Sequence, residues 1–255
     1  MSSSDYYWSR QLVQGAGKMW FLKIPQEAEG NSGGASLLGS VVREKSGQLF
    51  PGGSGLNIIG KDFPVPQHVT TPQLLLNRIL ANRQALKIPE TENIVEEIAL
   101  AGVDKLVIEK SDRLEADIGN FPSLPVHLEI DYGRMERITL QLGSNTRKRY
   151  ILRGYLKRLK DSVGNDDSLI TTDVSIDKET IIDEILLTDR YSVTFESVER
   201  FSPKFKANAM QIPALSAGTV SVDFEQASKK QVTITVDNGK DYLIALKDVD
   251  WDDLS

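Results

Sequence analysis

Leu124–Tyr132 reads LPVHLEIDY. Leu124, Val126, Leu128, Ile130 and Tyr132 take every second position, with Pro125, His127, Glu129 and Asp131 between them. A period of two belongs to a strand, whose successive side chains leave opposite faces. One side of this segment is apolar and the other is mainly charged. The pattern extends both ways: Leu114, Ala116 and Ile118 alternate with Arg113, Glu115 and Asp117, and Ile138, Leu140 and Leu142 follow. Ile181–Glu196 predicts a long strand in which Tyr191, Val193 and Phe195 alternate. Thr219–Glu225, Gln231–Val236 and Tyr242–Val249 predict three more, with Asn238-Gly239 as a hairpin turn between the last two.

Other segments follow different rules. Ser4–Gly15 predicts a short helix capped by Ser4 or Asp5, with Tyr7, Trp8 and Leu12 near one stripe and glycines at its end. Lys18–Ile24 predicts a strand closed by Pro25. Glu27–Ala35 and the glycine-rich Gly47–Gly60 read as loops, and Leu37–Arg43 fits strand or helix. Thr71 and Pro72 open a helix to Leu86, with Leu75, Leu76, Ile79, Leu80 and Leu86 on its apolar face. Glu92–Ala101 fits a second helical piece. Arg149–Val163 has helical spacing, with Ile151, Leu152, Tyr155, Leu156, Leu159 and Val163 in one stripe. Together these predict an α+β fold: one domain over residues 1–255, built on a twisted, mainly antiparallel sheet with three or four helices.

Composition removes whole classes of function. Of 255 residues, 30 are Lys or Arg and 36 are Asp or Glu, giving a formal charge of −6, which disfavours non-specific nucleic-acid binding. There is no cysteine, so disulfides, thiolate metal sites and Cys nucleophiles are absent. Two histidines, His68 and His127, do not make a multi-histidine zinc site. No apolar stretch reaches the length of a transmembrane helix, and Met1–Arg10 lacks the apolar core of a signal peptide. A β-type span remains open, since its signal is only weak alternation.

No catalytic, cofactor or metal residue emerges. Gly52-Gly53-Ser54-Gly55 misses the dinucleotide fingerprint, because Ile58 stands where a third glycine is needed. No Gly-Lys-Ser/Thr follows, so a flexible loop is the plainer reading. His68 fits a turn, and His127 lies on the polar side of its strand. The sequence therefore predicts no enzyme.

The strongest charge feature is Arg147–Lys160, RKRYILRGYLKRLK. It holds seven bases (Arg147, Lys148, Arg149, Arg153, Lys157, Arg158 and Lys160) and no acid. On a helix, such a run sets a basic face beside an apolar stripe. That face would meet anionic lipid, at about 1 kcal/mol per cation near the surface, or would be a solvated face of a helix docked on the sheet. The alternating strands leave two readings as well. In one they form a sheet with one wet face. In the other they rearrange into a membrane barrel, with Leu124, Val126, Leu128 and Ile130 facing lipid and His127, Glu129 and Asp131 facing the lumen. Periodicity does not separate the two.

The order of motifs resembles one known family. YYWSRQLVQGAGKMWFLKIP near the start, SVVREK at Ser40–Lys45, YILRGYLKRL at Tyr150–Leu159, TIIDEILLTDRYSVTF at Thr180–Phe195 and the closing VTITVDNGKDYLIALKDVDW resemble, in sequence, gasdermin pore-forming domains. The closest resemblance is to the fungal regulator-of-cell-death, gasdermin-like proteins. It implies a cytosolic pore former that binds acidic phospholipids, oligomerises into a β-barrel ring at the plasma membrane and causes lytic, pyroptosis-like cell death. The family's closing hairpin is expected at the end of the chain, with no repressor domain after it. That implies triggering by an incompatible allelic variant, in a homo- or hetero-oligomer, rather than by cleavage. Arg10, Lys18 and Lys23, with Arg43 and Lys45, match the family's lipid-facing positions. Trp20 and Phe21 are interfacial or core residues. The inserting hairpins would lie within residues 103–142 and 181–225. A reading from another class is a soluble β-rich interaction module whose basic helix binds an acidic protein.

Overall fold

The computed structural model describes residues 7–29, 34–45, 48–51, 74–101, 105–109, 135–163, 179–200, 219–223, 230–237 and 239–254. Residues Leu114–Ile118 and Leu124–Tyr132, the glycine run at Gly52, and His68, Thr71 and Pro72 lie outside them. So do all the barrel-facing candidates, from Leu124 to Asp131.

The described strands are β1 (Tyr7–Val13), β2 (Gly17–Glu27), β3 (Val41–Lys45), β4 (Gln48–Pro51), β5 (Val95–Ala99), β6 (Lys105–Glu109), β7 (Met135–Leu142), β8 (Arg147–Ile151), β9 (Glu179–Thr188), β10 (Tyr191–Ser197), β11 (Thr219–Asp223), β12 (Gln231–Asp237) and β13 (Tyr242–Asp250). The helices are α1 (Leu74–Ala81) and α2 (Arg153–Val163), with a 3-10 turn at Gly34–Leu37. The class is α+β, as expected, but with two antiparallel sheets instead of one and fewer helices among the described residues.

The first sheet runs β1-β2-β13-β9-β3-β4, with β8 joining β9 and β5 joining β8. The second runs β11-β12-β10-β7-β6. Two apolar clusters show how they stack. On one face of the first sheet, Leu75, Leu76 and Ile79 of α1 and Tyr155, Leu156 and Leu159 of α2 cover Ile181, Ile185, Leu187, Leu243 and Leu246. On its other face, Met19, Phe21, Leu186 and Ile244 meet Leu140, Leu142 and Val236 of the second sheet. The helices form one layer and the two sheets the next two.

This layering explains the strand sequences. Strand β9 is covered on both faces, so every residue from Ile181 to Thr188 is buried and the apolar ones, Ile181, Ile182, Ile185, Leu186 and Leu187, do not alternate. Strand β12 is covered on one face only. Val232, Ile234 and Val236 are buried while Gln231, Thr233 and Thr235 are partly exposed. Its alternation was therefore visible in the sequence.

Several expectations are corrected. Tyr7–Val13 is a strand, not a helix; it pairs antiparallel with β2, with Leu12 opposite Lys18 and Val13 opposite Gly17. Gly15 does not cap a helix. It takes φ 82° in the turn closed by Ala16 N–H donating to Val13 O at 3.0 Å, where a left-handed third residue is needed. Strand β2 continues past Pro25 to Glu27, because the β13 register jumps there, from Leu243 opposite Gln26 to Ala245 opposite Phe21. Proline is tolerated at such an irregularity. Gln48–Pro51 pairs with β3 and is a strand, not loop. Leu37–Arg43 is divided between the 3-10 turn and β3. Helix α1 stops at Ala81, where Asn82 Nδ2 donates back to Arg78 O at 2.8 Å. Leu75, Leu76 and Ile79 are buried on it as expected, Leu80 is 45% exposed, and Leu86 is buried beyond the helix end.

Three corrections bear on the site. Val95–Ala99 is a strand, not a helical piece, and pairs with β8. The basic helix begins only at Arg153, so Arg147, Lys148 and Arg149 stand on a strand. The strand expected over Ile181–Glu196 breaks at Asp189-Arg190, where the chain passes from the first sheet to the second. The Asn238-Gly239 hairpin does not form either. Strand β12 belongs to the second sheet and β13 to the first, so this link is another crossing. The turn from β7 to β8 is a third. Gly143 lies at that corner, and a Cβ there would meet Asp189 Oδ1 at 2.5 Å. Its N–H donates to Arg190 O at 2.7 Å and ties two crossings together.

Candidate functional site

The basic run is drawn inward by acids. Glu97 of β5 lies opposite Arg149 of β8 in the register. Arg149 Nη2 reaches Glu97 Oε2 at 2.7 Å and Arg147 Nε reaches Glu97 Oε1 at 2.8 Å. Arg147 also pairs with Asp241 at the sheet crossing. Burial works against the Arg147 charge, but Asp241 and Glu97 outweigh it and hold its pKa above the ordinary value. Tyr150 O–H donates to Glu96 at 2.5 Å.

Two adjacent carboxylates of β9 serve opposite faces of the sheet. Glu184 lies on the side of the second sheet. Lys247 Nζ approaches its Oε1 at 2.6 Å and Lys148 Nζ stands 3.4 Å from Oε2. The second contact is an ion pair by distance without hydrogen-bond geometry; among the described residues, Oε2 accepts no hydrogen bond. The two ammoniums also donate to the β1–β2 turn: Lys148 to Gly15 O at 3.2 Å and Lys247 to Ala16 O at 3.3 Å. Glu184 thus shares one negative charge between two cations that pin a hairpin turn to the centre of the fold.

Asp183 lies on the helical side. Arg153, the first residue of α2, donates from Nε to Asp183 Oδ2 at 2.8 Å. Further along α2, Arg158 stacks over the Tyr155 ring at 5.4 Å and donates to Lys87 O at 3.3 Å. Lys160 donates to the carbonyls of Trp251 at 2.8 Å and Asp252 at 3.0 Å. Lys157 is exposed.

The lipid candidates of the basic run, Arg147 to Lys157, are therefore not brought together as one basic face; the side chains of Arg10, Lys23, Arg43 and Lys45 lie outside the described ones. Arg147, Lys148, Arg149 and Arg153 are engaged by carboxylates, while Lys157 points to solvent. Lys18 is exposed on β2 just after the turn, and Arg10 lies opposite Trp20 in the β1–β2 register. Lys23 is on β2, and Arg43 and Lys45 are on β3. Phe21 is buried, which makes it core; Trp20 is partly buried and donates from Nε1 to Asp248 Oδ1 at 3.2 Å. Sequence reasoning missed the Glu184 hub. Its only local signal was a charged pair, Asp183-Glu184, inside an apolar strand.

The second sheet supplies an ordered polar surface. Thr139, Thr194 and Thr233 stand side by side across β7, β10 and β12, as do Gln141, Ser192 and Thr235. The Thr194 and Thr233 hydroxyls are 2.9 Å apart, and Arg137 meets Glu196 at 3.6 Å. The opposite face carries Ile138, Leu140, Leu142, Phe195, Val232, Ile234 and Val236, all buried. Among the described residues there is no metal-binding cluster, and no helix is long and apolar enough to cross a membrane.

The molecule is thus an α+β protein of two layered antiparallel sheets under a helical layer. Compared with known proteins, the chain matches no family model and none of the curated sequences.

Proposed function

We propose that the chain is a non-enzymatic pore former. It binds acidic phospholipids, assembles as a homo-oligomer or with an incompatible allelic variant into a β-barrel ring, and lyses the cell. It waits in the cytoplasm and acts at the plasma membrane. The observation that carries this reading is the second sheet: β7, β10 and β12 present one face of buried apolar residues and one face of hydroxyl and charged residues, in register. A barrel stave needs those two faces, one for lipid and one for water. In the sequence, the alternation continues between β6 and β7, through Leu114–Ile118 and Leu124–Tyr132. The resemblance of the motif order to gasdermin pore-forming domains supports the same reading.

In this proposal, first contact with the membrane falls to exposed cations such as Lys18 and Lys157, with Arg10 and Lys23. Contact by Arg147, Lys148, Arg149 and Arg153 would compete with the carboxylates they already pair with. The combined change Arg10→Glu, Lys18→Glu and Lys23→Glu is expected to abolish binding to anionic vesicles with the circular-dichroism spectrum unchanged. Three lipid-contacting cations would account for about 3 kcal/mol, on the order of 100-fold in partitioning. Wild-type binding should also weaken with salt, since exposed charges are screened beyond about 8–10 Å at physiological ionic strength. Dye release from liposomes with and without anionic lipid tests the function. Leakage confined to anionic liposomes supports it; intact liposomes at every composition, with and without the allelic variant, contradict it.

A further inference from the structure

Asp183 is wholly enclosed on the central strand, beneath the first turn of α2. Its side chain is 1% exposed, whereas its ion-pair partner Arg153 is 52% exposed. Among the described residues, Oδ1 accepts no hydrogen bond. A buried carboxylate with one donor is under-satisfied, since its two oxygens can take several. The other charges acting on it are Glu184 from its own strand and Lys247 from β13. Helix α1 brings the apolar Leu75, Leu76 and Ile79 to this layer. Burial pushes the Asp183 carboxyl up to about 6; Arg153 and Lys247 oppose the rise, and Glu184 adds to it.

We propose that Asp183 and Arg153 form a charge-controlled latch between β9 and α2, loose while the carboxylate is ionised and tight once it takes up a proton. Ionised, Asp183 holds a charge away from water with one oxygen unserved, and lifting the start of α2 would hydrate it. Protonated, it has no such drive. The folded state keeps the proton to higher pH than the opened state does. The stability from this site is therefore full below the ordinary carboxylate range and is lost as pH rises through about 6. Gly154, in the same helical turn and with open space around it, adds little local resistance to opening. Leu156 and Leu159, both at 0% exposure, anchor the helix further along, so opening is confined to its first turns. The inference rests on the packing of α2 and does not depend on pore formation.

Native-state hydrogen exchange of the α2 amides, corrected for intrinsic rates, tests it in the full chain. Wild-type α2 is expected to open more at pH 8 than at pH 4.5, by about 30-fold, the part of a displacement of about two pH units that falls between those two pH values. Asp183→Asn should flatten this dependence and leave slow exchange at both pH values. Arg153→Gln, at a half-exposed position, should increase opening at pH 8 and leave pH 4.5 unchanged. A pH dependence that survives Asp183→Asn, or an Arg153→Gln effect equal at both pH values, would overturn the latch.

Discussion

Glu184→Gln is expected to destabilise the fold by about 3–5 kcal/mol, the range for removing one partner of a buried ion pair. The carboxylate is 10% exposed and its two lysines, Lys148 and Lys247, are 14% and 21% exposed. Desolvating those ammoniums is offset by one shared negative charge. Glutamine keeps the shape and one acceptor but removes that charge, leaving two cations facing backbone carbonyls of the β1–β2 turn. For a chain of this size the loss corresponds to a fall in melting temperature of roughly 6–20 °C. Urea unfolding at pH 7 measures it. Adding Lys247→Met removes one stranded cation and should recover part of the loss, so the two changes should not be additive. A single variant with an unchanged urea midpoint would show that the hub contributes nothing.

Leu156→Ala should cost about 2–5 kcal/mol, the range for deleting a buried leucine side chain. Leu156 is at 0% exposure in the cluster that α1, α2 and the first sheet share. The cluster it belongs to includes Ile181, Ile185 and Leu246, which stand on strands held by ladders on both sides. Little relaxation is possible there, which favours the upper half of the range. Chemical denaturation measures the change, and a loss below about 1 kcal/mol would mean that α2 is only loosely docked.

These two sites were not equally legible. The apolar stripe of α2 follows helical spacing, so Leu156 and Leu159 were identifiable as core from local pattern. The strands of the second sheet were legible for the same reason: Ile138, Leu140 and Leu142, or Val232, Ile234 and Val236, alternate because one face is wet. The Glu184 hub was hidden because its cation Lys247 is 63 residues away. Glu97, which draws Arg149 onto a strand, is 52 residues away. Without it, Arg147–Ile151 has the spacing of a helix and merges with α2. Tyr7–Val13 was misread because Tyr7, Trp8 and Leu12 fit a helical stripe as well as a strand, and only pairing with β2 decides. Asn238-Gly239 carries a local turn preference, but which sheet each flanking strand joins is a tertiary matter. Val232 and Val236 face the second sheet's core, whereas Leu243 and Leu246 lie under the helices.

A pore former opens a water-filled path through a bilayer. Conductance across a planar anionic bilayer, recorded with the chain alone and mixed with an allelic variant, tests that property directly. Stepwise, long-lived increases in current are the predicted result. Current that stays at the bare-bilayer level in both conditions, although the protein co-sediments with vesicles of the same lipid, would contradict pore formation.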